Sequence, residues 1–291
     1  MLITVSMLTH TYVGFAFFPR ALDLSQQKDL VKDCYGSFSD RPNKTSMDLI
    51  YEIPEQGLWN SFVQGLECLK RHHGPDERAA VPIDEALLRK WRWTNIGKDY
   101  NWTSKTYDDD NDDGGDGDDG DDGGGEKKKK VVVAKEGIPI KLTEICKEIA
   151  AKMGFNDYEP DAGIINFYQL RDSLTGHIDR SERNKTAPLV SISLGQSGIF
   201  LIGGKSRNAT PIRAIIVRSG DIMVMSGACR WYFHGVPRIV ENDPCELFKV
   251  SCDCDCDCDG ENNGSHARDC WSIVGKIARY SRINVNVRQF K

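Results

Sequence analysis

From Ala162 to the end of the chain, apolar residues come in short runs divided by turn-forming residues: "AGIINFYQL", "PLVSISLG", "GIFLIGG", "PIRAIIVR", "DIMVMSG", "RWYFHGV" and "RINVNVRQ". Runs of this length, alternating or wholly apolar and bounded by Gly, Pro, Ser or Asp, predict strands. A series of strands without helices between them predicts an antiparallel sandwich or barrel. The first third has a different period. In "LSQQKDLVKDCYGSF" and "PEQGLWNSFVQGLECLKRHH" apolar side chains recur at helical spacing, the second through Leu58, Phe62, Leu66 and Leu69. "KLTEICKEIAAKMG" adds a further helix. These should be surface helices packed on the strand region, so the fold class is mainly β with flanking helices (α+β). The apolar opening "MLITVSMLTHTYVGFAFFPR" lacks a basic start and is broken by Thr9, His10 and Thr11. That reads as an opening strand, not as a secretory leader.

Two stretches interrupt this pattern. Residues 108–130, "DDDNDDGGDGDDGDDGGGEKKKK", hold no apolar side chain and cannot bury surface to offset the entropy of ordering, so a disordered insert is expected there. Residues 251–266, with "CDCDCDCD" at their start, read as a second low-complexity insert. The expected organisation is helices and a lid over 1–107, the insert at 108–130, and a core over 131–291. The net charge of −5 then changes meaning. The first insert contributes −7 and the second −5, which leaves +7 on the rest of the chain. A basic body is compatible with a polyanionic partner. Of the ten cysteines, four sit in the Cys-Asp run and six are scattered, which suggests reduced thiols in an intracellular protein. No apolar run approaches the roughly 20 residues of a membrane-spanning helix.

The chemistry centres on "TGHIDRSE". His177 and Asp179 are two apart, and two residues at that spacing on a strand share a face. A third ligand is available from His234 in "YFHGVPR", 57 residues on, where a later strand of the same barrel can return beside the first. Two His and one carboxylate with open positions is the arrangement of non-haem Fe(II) oxygenases, although zinc accepts the same donors. In "RINVNVR", Arg282, Asn284 and Arg288 fall at even spacing and face one side. Two guanidiniums pointing into a barrel need an anion, and a dicarboxylate suits their planar forks. Asn166 and Tyr168, also two apart, could bond the same ligand. Upstream, "LRKWRWTNIGKDYNWTSKTY" interleaves Trp93, Tyr100 and Trp102 with Arg89, Lys90, Arg92, Lys98 and Lys105. Aromatic faces among cations suit base stacking beside phosphates.

Taken in order, Asn166-x-Tyr168, His177-x-Asp179, "PLVSISLGQSGIFLIGG", "SGDIMVMSG", His234 and "RINVNVRQ" resemble the AlkB family of Fe(II)- and 2-oxoglutarate-dependent nucleic-acid dioxygenases, most of all its eukaryotic homologue 1 branch. The resemblance implies a double-stranded β-helix, or jelly-roll, core. It implies that His177, Asp179 and His234 hold iron, and that Asn166, Tyr168, Arg282, Asn284 and Arg288 hold 2-oxoglutarate. Trp93 and Tyr100 keep the family's lid spacing, Arg207 falls where the bacterial enzyme places an arginine at the substrate, and Ser181 and Glu182 fall where substrate is discriminated. The implied reaction consumes O2 and 2-oxoglutarate, gives succinate and CO2, and hydroxylates a methyl group on a base. The implied partner is tRNA or DNA, with N1-methyladenosine in tRNA the first choice and methyladenine or methylcytosine in DNA or tRNA next. A monomer in the nucleus, cytoplasm or mitochondrion is expected. Two other readings keep the fold: a catalytically weak nucleic-acid-binding protein, which has no need of a dicarboxylate pocket, and a protein side-chain hydroxylase, which has no need of a basic lid.

Overall fold

The structure, a computed structural model, describes residues 6–7, 13–71, 79–101, 106–107, 137–206, 211–241, 247 and 270–291. The inserts at 108–130 and 251–266 lie outside the described residues, as do Trp102, Lys105 and Arg207. The first part of the chain runs through β1 (Ser6–Met7), β2 (Phe15–Phe18), α1 (Leu24–Tyr35), β3 (Tyr51–Glu52), α2 (Gly57–Val63), β4 (Glu67–Lys70), β5 (Ala80–Pro82), α3 (Glu85–Leu88), β6 (Trp93–Gly97), β7 (Tyr100–Asn101) and β8 (Thr106–Tyr107). After α4 (Ile140–Lys152) come β9 (Ala162–Gln169), β10 (Leu174–His177), β11 (Leu189–Gly195), β12 (Ser197–Ile202), β13 (Arg213–Val217), β14 (Ile222–Met225) and β15 (His234–Val240). Helix α5 (Cys270–Ala278) and β16 (Ser281–Arg288) end the described order.

Two antiparallel sheets form the core. The larger has the order β1-β2-β14-β11-β16-β9-β6 and the smaller β10-β15-β12-β13. They face one another across an apolar layer in which Phe15, Met223 and Met225 of the larger sheet meet Phe200, Ile202 and Val236 of the smaller. This is the expected jelly-roll architecture. Alternation sorts the larger sheet's side chains between its two faces. On β16, Ile283, Val285 and Val287 are fully buried on the helix side, in one cluster with Leu30, Val31 and Cys34 of α1 and Leu142 and Cys146 of α4. The even-numbered residues of the strand therefore face the smaller sheet. Asp23 caps α1 and forms a reciprocal box with Gln26, an arrangement that contributes about 1 kcal/mol. The rings of Tyr35, Trp91 and Phe167, with centroids 5.0 to 5.8 Å apart, lock α1 and the approach to β6 onto β9.

Where the chain crosses from β11 in one sheet to β12 in the other, Gly195 has φ +74, and a Cβ there would lie 2.4 Å from the Ser281 carbonyl oxygen. Only glycine fits that corner.

Two expectations need correction. The helix over 54–73 stops at Val63, because Gly65 takes a left-handed φ of +67 and the chain continues as β4. Leu69 is thus a strand residue. The strand expected over "RWYFHGV" begins only at His234, since Gly227–Trp231 forms a 3-10 turn. Strands β1, β2 and β6 complete the larger sheet, so the first hundred residues are part of the barrel wall as well as its covering. Among the described residues no helix is long and apolar enough to cross a membrane.

Candidate active site

His177 ends β10 and His234 begins β15, and the two residues are directly paired across these neighbouring strands. Gly235 permits this close approach, because a Cβ there would meet the Leu174 carbonyl oxygen at 2.8 Å. The imidazole centroids stand 4.4 Å apart. Each ring is oriented through its Nδ1, 2.9 Å from the Thr175 carbonyl oxygen in His177 and 3.1 Å from that of Tyr232 in His234. With Nδ1–H donating to those carbonyls, the Nε2 lone pairs remain for a metal. Asp179 lies past the end of β10 rather than on it, so loop geometry, not strand alternation, brings it to the pair. Its Oδ1 is 3.6 Å from His177 Nε2 and its Oδ2 3.7 Å from His234 Nε2. One ligand atom from each of the three residues falls within 4.8 Å of the others, close enough to share one ion. The donor set, two imidazoles and a carboxylate, fits Fe(II) with positions left open.

Electrostatics follow from this clustering. Burial pushes the Asp179 carboxyl up, but Arg288 and the two histidines outweigh it and hold it well below the usual carboxylate range. Burial lowers His234, and Asp179 does not offset it. His177 is more open, 36% exposed against 9% for His234. Burial lowers its pKa too, yet the hydrogen bond and charge of Asp179 together give a net upward shift.

The cavity behind the triad is lined by Tyr168, Ser191, Arg282 and Asn284 from the larger sheet and by Phe200 and His234 from the smaller. Register places Arg282 opposite Tyr168, and Asn284 opposite Asn166, which pairs in turn with Trp93. Arg282 is 1% exposed. Its Nη2 donates to Ser193 Oγ at 3.0 Å and its Nη1 to the Gln196 carbonyl at 3.4 Å, while Nε has no hydrogen-bond partner. Burial lowers this guanidinium's pKa to about 10, so it is charged at neutral pH. The absence of side chain at Gly198 leaves room beside that Nε, where a Cβ would come within 3.0 Å. A buried cation with an orphaned donor and space next to it fits an anionic carboxylate of a bound dicarboxylate. Tyr168 is raised to about 12, chiefly by burial, and remains a neutral donor. Asn284 donates to Ser191 Oγ at 2.8 Å and to the Ile192 carbonyl at 3.2 Å.

The remaining residues expected at the site divide. Tyr100 is partly buried on β7, and burial raises its phenol's pKa, with Arg288, Asp179 and Ser181 close enough to influence it. Trp93 is half-buried on β6, in the same cross-strand row as Asn166. The Glu182 side chain has no exposed surface and is held between Arg230 and Arg288. Sequence reasoning missed Ser193, although the alternation Val190-Ser191-Ile192-Ser193-Leu194 marks a polar stripe inside an apolar strand. It also missed Arg230, for which "GACRWYF" carries no periodic signal.

Residues 115–288 match the family model described as the 2OG-Fe(II) oxygenase superfamily. The chain belongs to that family. It is 32% identical over 283 residues to the nucleic acid dioxygenase ALKBH1 of Mus musculus, across 96% of this chain and 64% of the relative. It is 31% identical over 269 residues to the tRNA demethylase abh1 of Schizosaccharomyces pombe, across 91% and 75% of the two chains. It is also 29% identical over 295 residues to the DNA N(6)-methyladenine demethylase ALKBH1A of Arabidopsis thaliana, across 95% and 75%. The chain thus spans about two thirds of the mouse relative's length. A solved structure titled "The structure of OsALKBH1" has the same fold, with a TM-score of 0.51 at 18% identity over 98% of this chain and 100% of that one.

Proposed function

We propose that this chain is a 2-oxoglutarate-dependent dioxygenase that removes methyl groups from nucleic-acid bases, N1-methyladenosine in tRNA first, and methyladenine or methylcytosine in DNA or tRNA next. The observation that carries the reading is the pairing of the His177, Asp179 and His234 cluster with the buried, partly unsatisfied Arg282 on the opposite wall of one cavity. The relatives' substrates, nucleic acid in the mouse protein, tRNA in the yeast protein and DNA in the plant protein, favour a base over a protein side chain.

In this reading His177, Asp179 and His234 hold the iron, while Arg282, Tyr168, Asn166 and Asn284 receive 2-oxoglutarate together with Arg288. Fe(II) with 2-oxoglutarate, when bound, supplies the activation of O2 for hydroxylating a methyl C–H bond. The protein's own part is positional. Arg282 fixes one carboxylate through its fork, the apolar layer of Phe200, Met223 and Met225 excludes water, and the Nδ1 bonds hold both imidazoles in the ligating tautomer. Trp93 stacks on the base, and Tyr100 borders its entry. A methyl group inside a duplex cannot reach this cavity, so the base is flipped or already unpaired. Hydroxylation of a methyl carbon attached to nitrogen leaves an unstable hydroxymethyl, lost as formaldehyde with the nitrogen restored. The chain would work as a monomer inside the cell, in nucleus, cytoplasm or mitochondrion.

The test incubates the purified protein with Fe(II), 2-oxoglutarate and a panel of methylated tRNA and DNA oligonucleotides, following succinate and loss of methyl by mass spectrometry. Demethylation of at least one, with N1-methyladenosine in tRNA turned over fastest, is expected. An iron-loaded protein that demethylates none would refute the reading. Within it, Trp93→Ala should weaken binding of the methylated oligonucleotide by about 1–3 kcal/mol, the usual value of one base-aromatic stack, and spare the 2-oxoglutarate turnover that runs without substrate.

A further inference from the structure

Three residues past Asp179, Glu182 sits at the centre of a buried chain of four charges. Its Oε1 is 2.8 Å from Arg288 Nη1 and its Oε2 2.9 Å from Arg230 Nη2. The two arginines come from different elements. Arg288 belongs to β16, and Arg230 to the 3-10 turn that leads into His234. One carboxylate thus ties together the loop that carries Asp179, the approach to His234 and the last strand. The side chains of Arg230, Glu182 and Arg288 are 4%, 0% and 6% exposed, so water does not screen these pairs.

The fourth member shows what the arrangement does. Arg288 Nη2 donates to Asp179 Oδ2, but at 3.5 Å, well beyond the roughly 2.7–2.9 Å of a close ion pair, whereas Arg288 Nη1 comes to 2.8 Å from Glu182 Oε1. A buried arginine pairs with whatever carboxylate is in reach, because an unpaired buried charge is strongly unfavourable. Take Glu182 away and Asp179 becomes the anion within Arg288's reach, and its oxygens would be drawn to the guanidinium when the metal needs their lone pairs.

We propose that Glu182, braced by Arg230, is a positioning residue that holds the Arg288 guanidinium off Asp179 and so keeps that carboxylate available to the metal. Arg230 has the complementary task. By taking the second oxygen of Glu182, it leaves one oxygen for Arg288 and fixes the carboxylate's orientation.

The inference rests on the metal reading of the triad and not on the nucleic-acid substrate. Its test therefore uses Mn(II) alone, titrated into the full chain by calorimetry with no 2-oxoglutarate or oligonucleotide present. Glu182→Gln, which keeps the shape and removes the charge, should weaken Mn(II) binding by about tenfold or more, in the range usual for residues that orient metal ligands. The double variant Glu182→Gln/Arg230→Gln restores the balance of buried charge, with Arg288 against Asp179, and carries the test should the single variant fail to fold by circular dichroism. It should show the same weakening, because Arg288 has still lost its anchor. Wild-type Mn(II) affinity in either folded variant would overturn the proposal, as would a Glu182→Gln protein whose only defect is a raised KM for the methylated oligonucleotide. A wild-type chain that binds Mn(II) yet demethylates nothing would fail the proposed function and leave this inference standing, whereas one that binds no Mn(II) would overturn both.

Discussion

The two ends of β16 carry the same residue in opposite circumstances. Arg282 and Arg288 lie on one face of one strand, six residues apart, and both are buried. At the Arg282 end the guanidinium bonds a hydroxyl and a carbonyl. At the Arg288 end the guanidinium already has Glu182 at 2.8 Å and Asp179 at 3.5 Å. A buried cation without a carboxylate is a site awaiting an anion. One with two carboxylates is already anchored. Identical residues at even spacing thus divide into an end that lacks its anion and an end already held by carboxylates, and what divides them is the loop that brings Asp179 and Glu182 under the second arginine.

This difference can be broken from either side. Arg288→Met leaves Glu182 and Asp179 buried with one fewer cation, and should lower the stability of the ligand-free protein by about 3–5 kcal/mol in denaturant titration. Arg282→Met removes a cation that has no carboxylate within ion-pair distance among the described residues, Asp221 acting on it from farther off. It should cost no more than about 1 kcal/mol of stability, yet raise the 2-oxoglutarate concentration at half-saturation roughly tenfold to a hundredfold, the equivalent of about 1.5–3 kcal/mol for a charge-assisted bond. Equal stability losses in the two variants would erase the comparison. Ser193→Ala sharpens it at a smaller scale. Loss of the hydroxyl that orients Arg282 Nη2 should weaken 2-oxoglutarate binding by about 1 kcal/mol and leave Mn(II) binding as in the wild type.

The sequence made these two ends look alike. Even spacing in "RINVNVR" correctly put Arg282, Asn284 and Arg288 on one face, since alternation is a local property of a strand. Which carboxylates reach them is a property of loops packed from elsewhere, and no spacing within the strand reports it. The same distinction runs through the molecule. His177 and His234 were legible as a pair because each falls in a predicted strand, and a later strand of a barrel can return beside an earlier one. Asp179 was legible only as a neighbour of His177, and the structure brings it in from beyond the strand. Glu182, adjacent to the partly buried Ser181 in sequence, is sealed between two arginines. The amphipathic segment Cys270–Ala278 forms α5 and packs Val274, Ile277 and Ala278 against the helix-side core, a helix hidden in the sequence behind the Cys-Asp run. Gly65 ended a helix that the periodicity of Leu58, Phe62, Leu66 and Leu69 would have continued, because a left-handed backbone overrides side-chain pattern.

The central claim is that one cavity joins a three-ligand metal site to a dicarboxylate site. It is tested most directly by calorimetry in two stages, Mn(II) first and 2-oxoglutarate second, on the wild-type chain and on Asp179→Ala. The wild type should take up one metal ion and then one 2-oxoglutarate per chain. Asp179→Ala, folded by circular dichroism, should lose the metal and with it most of the affinity for 2-oxoglutarate. Metal uptake undiminished in Asp179→Ala, or a wild-type chain that binds Mn(II) and then no 2-oxoglutarate, would contradict the account.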